Sequence, residues 1–294
     1  MSEVTIGVCG LGNMGLQVAR RAATVRPGPC FDVSEAARAN AAAEGLQPTA
    51  ELSDLSGCDV VVLCLPRSDI SLDTARRLAE LLEKGSVVIE TSTVSPNDIA
   101  AMEAYLEPKG IRVIDAAIIS GVPAMAAGTS TMLVGADEHS AGELVVQIIN
   151  ALSAKVTWLG RPRAAMAMKV IHNAVAHATM VTLSEARAMG LPYGITEEML
   201  VEMLRGEEAG LLRPLLHRIG ERVPARDYAG GMSLEAARKD SLLALAMAAE
   251  WRVPLYSIGA THTAFENAVG RFNGRDDYAV IAELWTRPQD GERD

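Results

Sequence analysis

Apolar and polar positions follow two rhythms in this chain, and the change between them falls near residue 160. Before it, short apolar runs rich in β-branched residues alternate with alanine-rich stretches whose apolar positions recur every three or four residues. The runs Val4 to Cys9, Asp59 to Leu65, Ser86 to Glu90 and Arg112 to Asp115 predict strands. Leu16 to Val25, Ser34 to Glu44 and Ile70 to Glu83 predict helices. Strand then helix, repeated, predicts βαβ units on a parallel sheet, because parallel neighbours need a crossover. After Trp158 only the helical rhythm remains. Arg163 to Met189 is one long helical run, with Gly190 and Pro192 as its stop. Thr196 followed by Glu197 and Glu198 reads as an N-cap with acids in the first turn, and Leu234 to Glu250 is a further helix. The expected architecture is α/β: a doubly wound parallel sheet over residues 1–160 and an all-α domain over residues 161–294, with no internal repeat or flexible linker between them.

The first strand runs into Gly10-Leu11-Gly12-Asn13-Met14-Gly15, a G-x-G-x-x-G loop that opens a helix. Gly10 allows the tight turn, Gly12 lets a pyrophosphate approach the backbone, and Gly15 lets helix and strand pack closely. The helix N-terminus then offers N–H groups to phosphate. This is the dinucleotide-binding Rossmann arrangement. Asp32 stands 22 residues after Gly10, at the end of the short run Cys30-Phe31-Asp32. A carboxylate there accepts from ribose hydroxyls and repels a 2′-phosphate, which favours NAD over NADP, while Ser34 and Arg38 nearby leave room for NADP. Leu65-Pro66 and Thr91-Ser92-Thr93 end two further strands, where ligands bind in an open α/β sheet; Leu65, Pro66 and Thr93 are the cofactor contacts expected from them.

The long helical run carries a different signal. From Ala164 to Val181 it is apolar nearly all round, the pattern of a helix covered on every side, yet it holds Lys169. Burial of an ammonium is costly and lowers its pKa, so this lysine is a candidate acid/base. His172 at i+3 and Asn173 at i+4 share its helical face. The remaining faces of such a helix call for a second subunit, so a homodimer or homotetramer is expected.

Composition narrows the class. Of the 294 residues, 27 are basic and 37 acidic, a net charge of −10, which disfavours a phosphate backbone as partner. Four cysteines, Cys9, Cys30, Cys58 and Cys64, lack metal-ligand spacing and read as buried apolar residues of a reducing cytoplasm. No metal site is expected. No apolar run approaches the ~18 residues of a membrane span, and the opening MSEVTIGVCG has no basic segment suggesting a cleaved signal.

Four segments in order resemble the β-hydroxyacid dehydrogenase family over essentially the whole length. Gly10-Leu11-Gly12-Asn13-Met14-Gly15 is similar to its opening G-L-G-x-M-G. Asp115 to Gly121, continuing to Gly128-Thr129, resembles its substrate-binding D-A-P-V-S-G-G…G-T. Lys169-Val170-Ile171-His172-Asn173 resembles its catalytic K-x-x-N-N, with a His-Asn ending closer to the 6-phosphogluconate dehydrogenase branch, and Lys239-Asp240 its late K-D pair. The resemblance implies an NAD-dependent dehydrogenase or reductase, acting on a small 3-hydroxy acid or its semialdehyde, with Lys169 as acid/base. It implies His172 and Asn173 orienting substrate, Ser120 and Gly121 near its carboxylate, and Lys239 closing the site beside cofactor and substrate. The chain departs from the pattern at Ile119 in the serine position, Ser120 in place of the first glycine, Ala117 for proline, His172 for the first asparagine, and Met232 where phenylalanine is expected. Oxidative decarboxylation of a sugar acid, imine reduction, and cofactor sensing without turnover are the alternatives.

Overall fold

In a computed structural model, residues 5–206 and 210–286 are described. Contacts divide the chain into two compact units, Met1–Ala174 and Val175–Asp294. The first unit holds one eight-stranded sheet: β1 (Ile6–Cys9), β2 (Pro29–Phe31), β3 (Gln47–Thr49), β4 (Val60–Leu63), β5 (Val87–Glu90), β6 (Arg112–Ile118), β7 (Thr131–Val134) and β8 (Lys155–Trp158). Val4, expected to begin β1, lies outside the described residues. The strand order is β3-β2-β1-β4-β5-β6-β7-β8. All neighbours are parallel except β6 and β7, where Ala116 faces Val134 in an antiparallel pair. The doubly wound sheet is thus extended by two strands that the sequence rhythm did not separate, and β6 runs three residues beyond the expected Asp115.

Alternation along the strands builds two layers of core. Val60 and Val62 of β4, with Ile6, Val8 and Ile89, face one layer; Val61 and Leu63, with Cys9 and Val88, face the other. Both faces are apolar because helices cover both, as a parallel sheet requires. The covering helices are α1 (Asn13–Ala23), α2 (Glu35–Ala43), α3 (Ser68–Leu78), α4 (Pro96–Leu106), α5 (Val122–Ala127), α6 (Glu138–Ala141) and α7 (Glu143–Leu152). Of these, α4 begins with a reciprocal Ser95–Asp98 capping box and Pro96 at its first position. Cys9, Cys30 and Cys58 are buried and Cys64 is half-buried, all as free thiols. Burial pushes Cys9 and Cys58 up to about 12 and Cys30 and Cys64 up to about 11, which leaves them protonated and inert.

The 27-residue helix α8 (Ala164–Gly190) follows, and the division between the units falls within it. Gly190 ends the helix, as expected, but not as a left-handed cap. It keeps right-handed helical φ, and a 3₁₀ turn over Leu191–Tyr193 is closed instead by Gly194 at φ +72°. The second unit continues with α9 (Glu197–Leu204), a π-helical stretch Pro214–Arg222 leading into α10 (Val223–Ala225), α11 (Leu234–Glu250), α12 (Ser257–Val269) and a 3₁₀ segment Tyr278–Trp285. Thr196 caps α9 by accepting from the Met199 N–H, as its position suggested. The core of this unit is small: Leu234, Ala237, Phe265, Ala268 and Val280. Arg218 and Asp277 form a buried ion pair beside it, with the guanidinium 3.9 Å from the centre of the Tyr278 ring. No strand of a named sheet occurs past Trp158 among the described residues. No helix among them is long and apolar enough to cross a membrane.

Candidate active site

The strand order reverses between β1 and β4, and this switch point opens the crevice in which doubly wound sheets bind ligands. The glycine loop sits at the end of β1. Gly10 adopts φ +99°, and a Cβ on it would lie 2.3 Å from the Cys64 carbonyl oxygen; one on Gly15 would lie 2.0 Å from the Gly10 carbonyl oxygen. Both glycines are therefore dictated by the protein's own packing. Gly12 differs: a Cβ there meets nothing within 4 Å. It is the N-cap of α1 with no side-chain cap, so the first-turn N–H groups face an open cradle. Leu11 is buried beneath the loop, Met14 packs on the core, and Gly12 and Asn13 are exposed. An open backbone cradle with unpaired donors fits the pyrophosphate of a dinucleotide.

Asp32 follows β2 and faces this loop. Its carboxylate accepts from the Leu11 N–H at 2.6 Å and the Ser34 N–H at 2.8 Å. A carboxylate has about four lone-pair directions, so acceptor capacity remains for ribose hydroxyls. Arg38 donates to the Asp32 carbonyl oxygen at 2.8 Å, which places a guanidinium at the same corner. At the end of β4, Leu65 is half-buried and Pro66 exposed; at the end of β5, Thr91 and Ser92 are buried and Thr93 exposed. The Leu65 N–H donates to Ser92 Oγ at 2.7 Å, tying these two strand ends together.

The start of α8 is held by a residue not singled out as an anchor in the sequence. Asp115, on β6 and 1% exposed, accepts from the N–H of Arg163 at 2.9 Å and of Met166 at 3.0 Å. Burial raises its pKa, and the backbone hydrogen bonds from Met166, Arg163 and Ala165 oppose that rise. Arg163 turns into the helix through a left-handed φ of 71° and pairs through its guanidinium with Glu103. Ala165 and Met166 are then driven into the core of the first unit. Lys169 lies one turn on, half-buried, with its pKa lowered by burial. Asn173 is half-buried and His172 exposed, with Nδ1 of the imidazole 3.3 Å from Oδ1 of Asn173. Beyond Lys169 the single chain leaves the helix open: Ile171 is 56% and Met180 64% exposed.

At the end of β6, the Ile119 side chain packs on the apolar layer and its N–H donates to the Thr131 carbonyl, so the family's serine position contributes no hydroxyl here. Ser120 is next, half-buried, and its Oγ accepts from the Thr131 N–H at 2.9 Å. Gly121 is exposed as the N-cap of α5, without steric need for glycine. Lys239 belongs to the other unit, exposed on α11, where its ammonium pairs with Asp240 at 2.8 Å.

Comparison with known proteins bears on this geometry. The profile of the NAD binding domain of 6-phosphogluconate dehydrogenase matches residues 5–160, and that of the NAD-binding of NADP-dependent 3-hydroxyisobutyrate dehydrogenase matches residues 164–285. The chain is 27% identical to 2-(hydroxymethyl)glutarate dehydrogenase of Eubacterium barkeri, over 96% of this chain and 95% of that one. It is 29% identical to mitochondrial 3-hydroxyisobutyrate dehydrogenase of Drosophila melanogaster, over 95% and 88%. Among solved structures, an imine reductase from Myxococcus stipitatus in complex with NADP+ aligns with a TM-score of 0.85 at 19% identity, over 96% of this chain and 100% of that one. The 3-hydroxyisobutyrate dehydrogenase of Mycobacterium tuberculosis aligns at 0.65 and 22%, over 96% and 99%. At these identities the structural likeness concerns the fold alone. Because the first profile spans more than half of the chain and the second continues through its helical half, the protein belongs to the β-hydroxyacid dehydrogenase family and is an NAD(P)-dependent oxidoreductase.

Proposed function

We infer that the protein interconverts a small 3-hydroxy acid and its semialdehyde or keto acid, with NAD as the working cofactor. The observation that carries this reading is Lys169, an ammonium set into an apolar helix, half-buried and shifted toward its neutral form, one turn from Asn173. A group asked to take a proton from an alcohol and return it to a carbonyl works best when its pKa approaches the working pH, and desolvation moves Lys169 that way. Nicotinamide dinucleotide, when bound, takes up or supplies the hydride. The chain's residues do the rest. Gly10 to Gly15 hold the pyrophosphate, Asp32 the ribose, and Leu65, Pro66 and Thr93 the nicotinamide end. Asn173 and His172 orient the substrate hydroxyl toward the Lys169 Nζ. Ser120 accepts from the chain through its lone pair, so its hydroxyl hydrogen can donate to the substrate carboxylate. The family resemblance adds Lys239 as a contact of cofactor and substrate.

In this reading residues 1–160 bind the cofactor, residues 161–294 carry substrate and subunit contacts, and the protein works in the cytoplasm as a homodimer or homotetramer. The His172-Asn173 order favours oxidative decarboxylation of a sugar acid as the second reading. The test is NADH formation at 340 nm with C3 to C6 hydroxy acids, including sulfonate and phosphonate analogues, in wild type and Lys169→Ala. The expected result is turnover that falls ~10²- to 10⁴-fold in the variant with NADH binding retained. A variant keeping more than about a tenth of kcat, or turnover confined to cyclic imines, overturns the reading.

A further inference from the structure

Three of the four residues of β5 are what a central parallel strand needs: Val87, Val88 and Ile89, all buried. The fourth, Glu90, is a carboxylate with no exposed surface. It points into a polar knot under the crevice. Ser71 Oγ of α3 donates to it at 2.5 Å, and the Ser92 N–H donates at 2.7 Å. The Ser71 and Ser92 hydroxyls lie 3.4 Å apart. Ser92 Oγ in turn accepts from the Leu65 N–H. One carboxylate thus gathers the end of β5, the first turns of α3 and the turn after β4. Leu65 stands just past the last β4–β5 ladder pair, Leu63 with Glu90, so its N–H is set by this knot.

An acid is an expensive way to fill that volume. A buried carboxylate costs several kcal/mol unless fully hydrogen-bonded, and an apolar residue would pack the same layer at less cost. What the acid supplies is an acceptor on both oxygens at once, for Ser71 Oγ and the Ser92 N–H, a task the neutral form cannot perform in full because its proton competes with one of them. We propose that Glu90 is a positioning residue for the cofactor: through Ser92 it fixes the Leu65 N–H, and with it the Leu65–Pro66 turn on which the nicotinamide end of the dinucleotide rests. This rests on the assignment of Leu65, Pro66 and Thr93 to the cofactor crevice.

The surroundings make the ionisation of Glu90 readable. Cys9 of β1 and the Cys64 thiol after β4 face it, and both stay protonated across the working range. Asp98 of α4 adds a negative charge, held below its usual value by the Ser95 hydrogen bonds of the cap. Asp32 and Arg77 act on the neighbouring Cys9. Burial pushes Glu90 itself up to about 7, so in this cluster it is the group whose charge changes between pH 6 and 8.

The test measures NADH affinity by fluorescence titration from pH 5.5 to 8.5, alongside thermal unfolding, for wild type, Glu90→Gln and Ser92→Ala. Glutamine accepts from the Ser92 N–H but must donate to Ser71, and so copies the protonated acid. The expected result is a wild-type Kd that tightens about three- to tenfold as pH rises through 7. Glu90→Gln should bind weakly at every pH, without that step, and Ser92→Ala should weaken binding at pH 8. A merely structural Glu90 would move the thermal midpoint and leave the step in place. A Glu90→Gln profile that matches wild type overturns the proposal alone. Should Glu90→Gln fail to fold, wild-type affinity in Ser92→Ala overturns it instead. Failure of wild type to bind NADH at any pH overturns it together with the assignment of the crevice.

Discussion

At the scale of single residues, the molecule uses carboxylates for three unlike purposes. Asp32 keeps spare acceptor capacity beside an open loop, Asp115 spends its oxygens on the backbone at the start of α8, and Glu90 spends its own on a hydroxyl and an N–H. Only the first was legible in the sequence. Asp32 is found by counting from a glycine motif, whereas a carboxylate closing a strand reads as a solvated acid until tertiary structure buries it. Asp115 falls in the segment that resembles a substrate-binding motif; its hydrogen bonds from Arg163 and Met166 span about 50 residues, beyond any local pattern. If Asp32 sets cofactor choice by repelling a 2′-phosphate, Asp32→Ala should narrow the preference for NAD over NADP in kcat/KM; a wild type already preferring NADP would contradict this. For Glu90 the sign follows from linkage. Its native pKa lies above the unfolded one, so its contribution to stability is full below about 4.5 and is lost as pH rises through about 7. Glu90→Gln, neutral throughout, should gain on wild type between pH 4.5 and 8, by up to about 3 kcal/mol at ~1.4 kcal/mol per pKa unit. Urea unfolding at pH 5 and pH 8 measures the gap, and a constant gap would refute it.

Among the elements, agreement between sequence and structure follows period and length. The long helices were found nearly to the residue: Arg163 to Met189 against Ala164–Gly190, and Leu234 to Glu250 unchanged. β7 and β8 are not found, because unlike the equally short β1, β4 and β5 they are not buried throughout, and neither is β3, whose Pro48 reads as loop. That proline is tolerated because β3 is the edge of the sheet. The strand-loop-helix unit at the N-terminus was fully legible because each glycine has its own geometric reason, and those reasons can be separated. Gly12→Ala meets no atom of the protein, so it should fold with an unchanged Tm while NADH affinity drops at least tenfold. Gly15→Ala drives a Cβ into the Gly10 carbonyl and should unfold the protein or lower Tm by several degrees. Calorimetry with NADH titration separates the two, and equal effects on Tm would refute the distinction.

For the whole molecule, the dominant fact is apolar surface without cover. Met168, Val170, Ile171, Val175, Met180 and Val181 of α8 are all more than 40% exposed in the single chain. The helix that the sequence marks as covered on every side has one side supplied by its own fold near Ala165 and Met166. We expect these faces to lie against a second copy, in the range of ~2,000 Å² or more for obligate dimers. Light scattering at micromolar concentration should give at least twice the 31.1 kDa chain mass, and a monomer would refute it. The strand order carries a consequence of another kind, in time rather than space. β1 pairs with β4 across 54 residues, Ile6 with Val60, and every parallel neighbour is likewise non-local. Loop closure on that scale must be paid before any pairing rewards it, which places this sheet among slow-folding topologies. The crevice draws on positions 10, 32, 65 and 90, which meet only when β1, β2, β4 and β5 are aligned. On the proposed assignment of these positions to the cofactor, a growing chain has no complete dinucleotide site until the centre of the sheet closes.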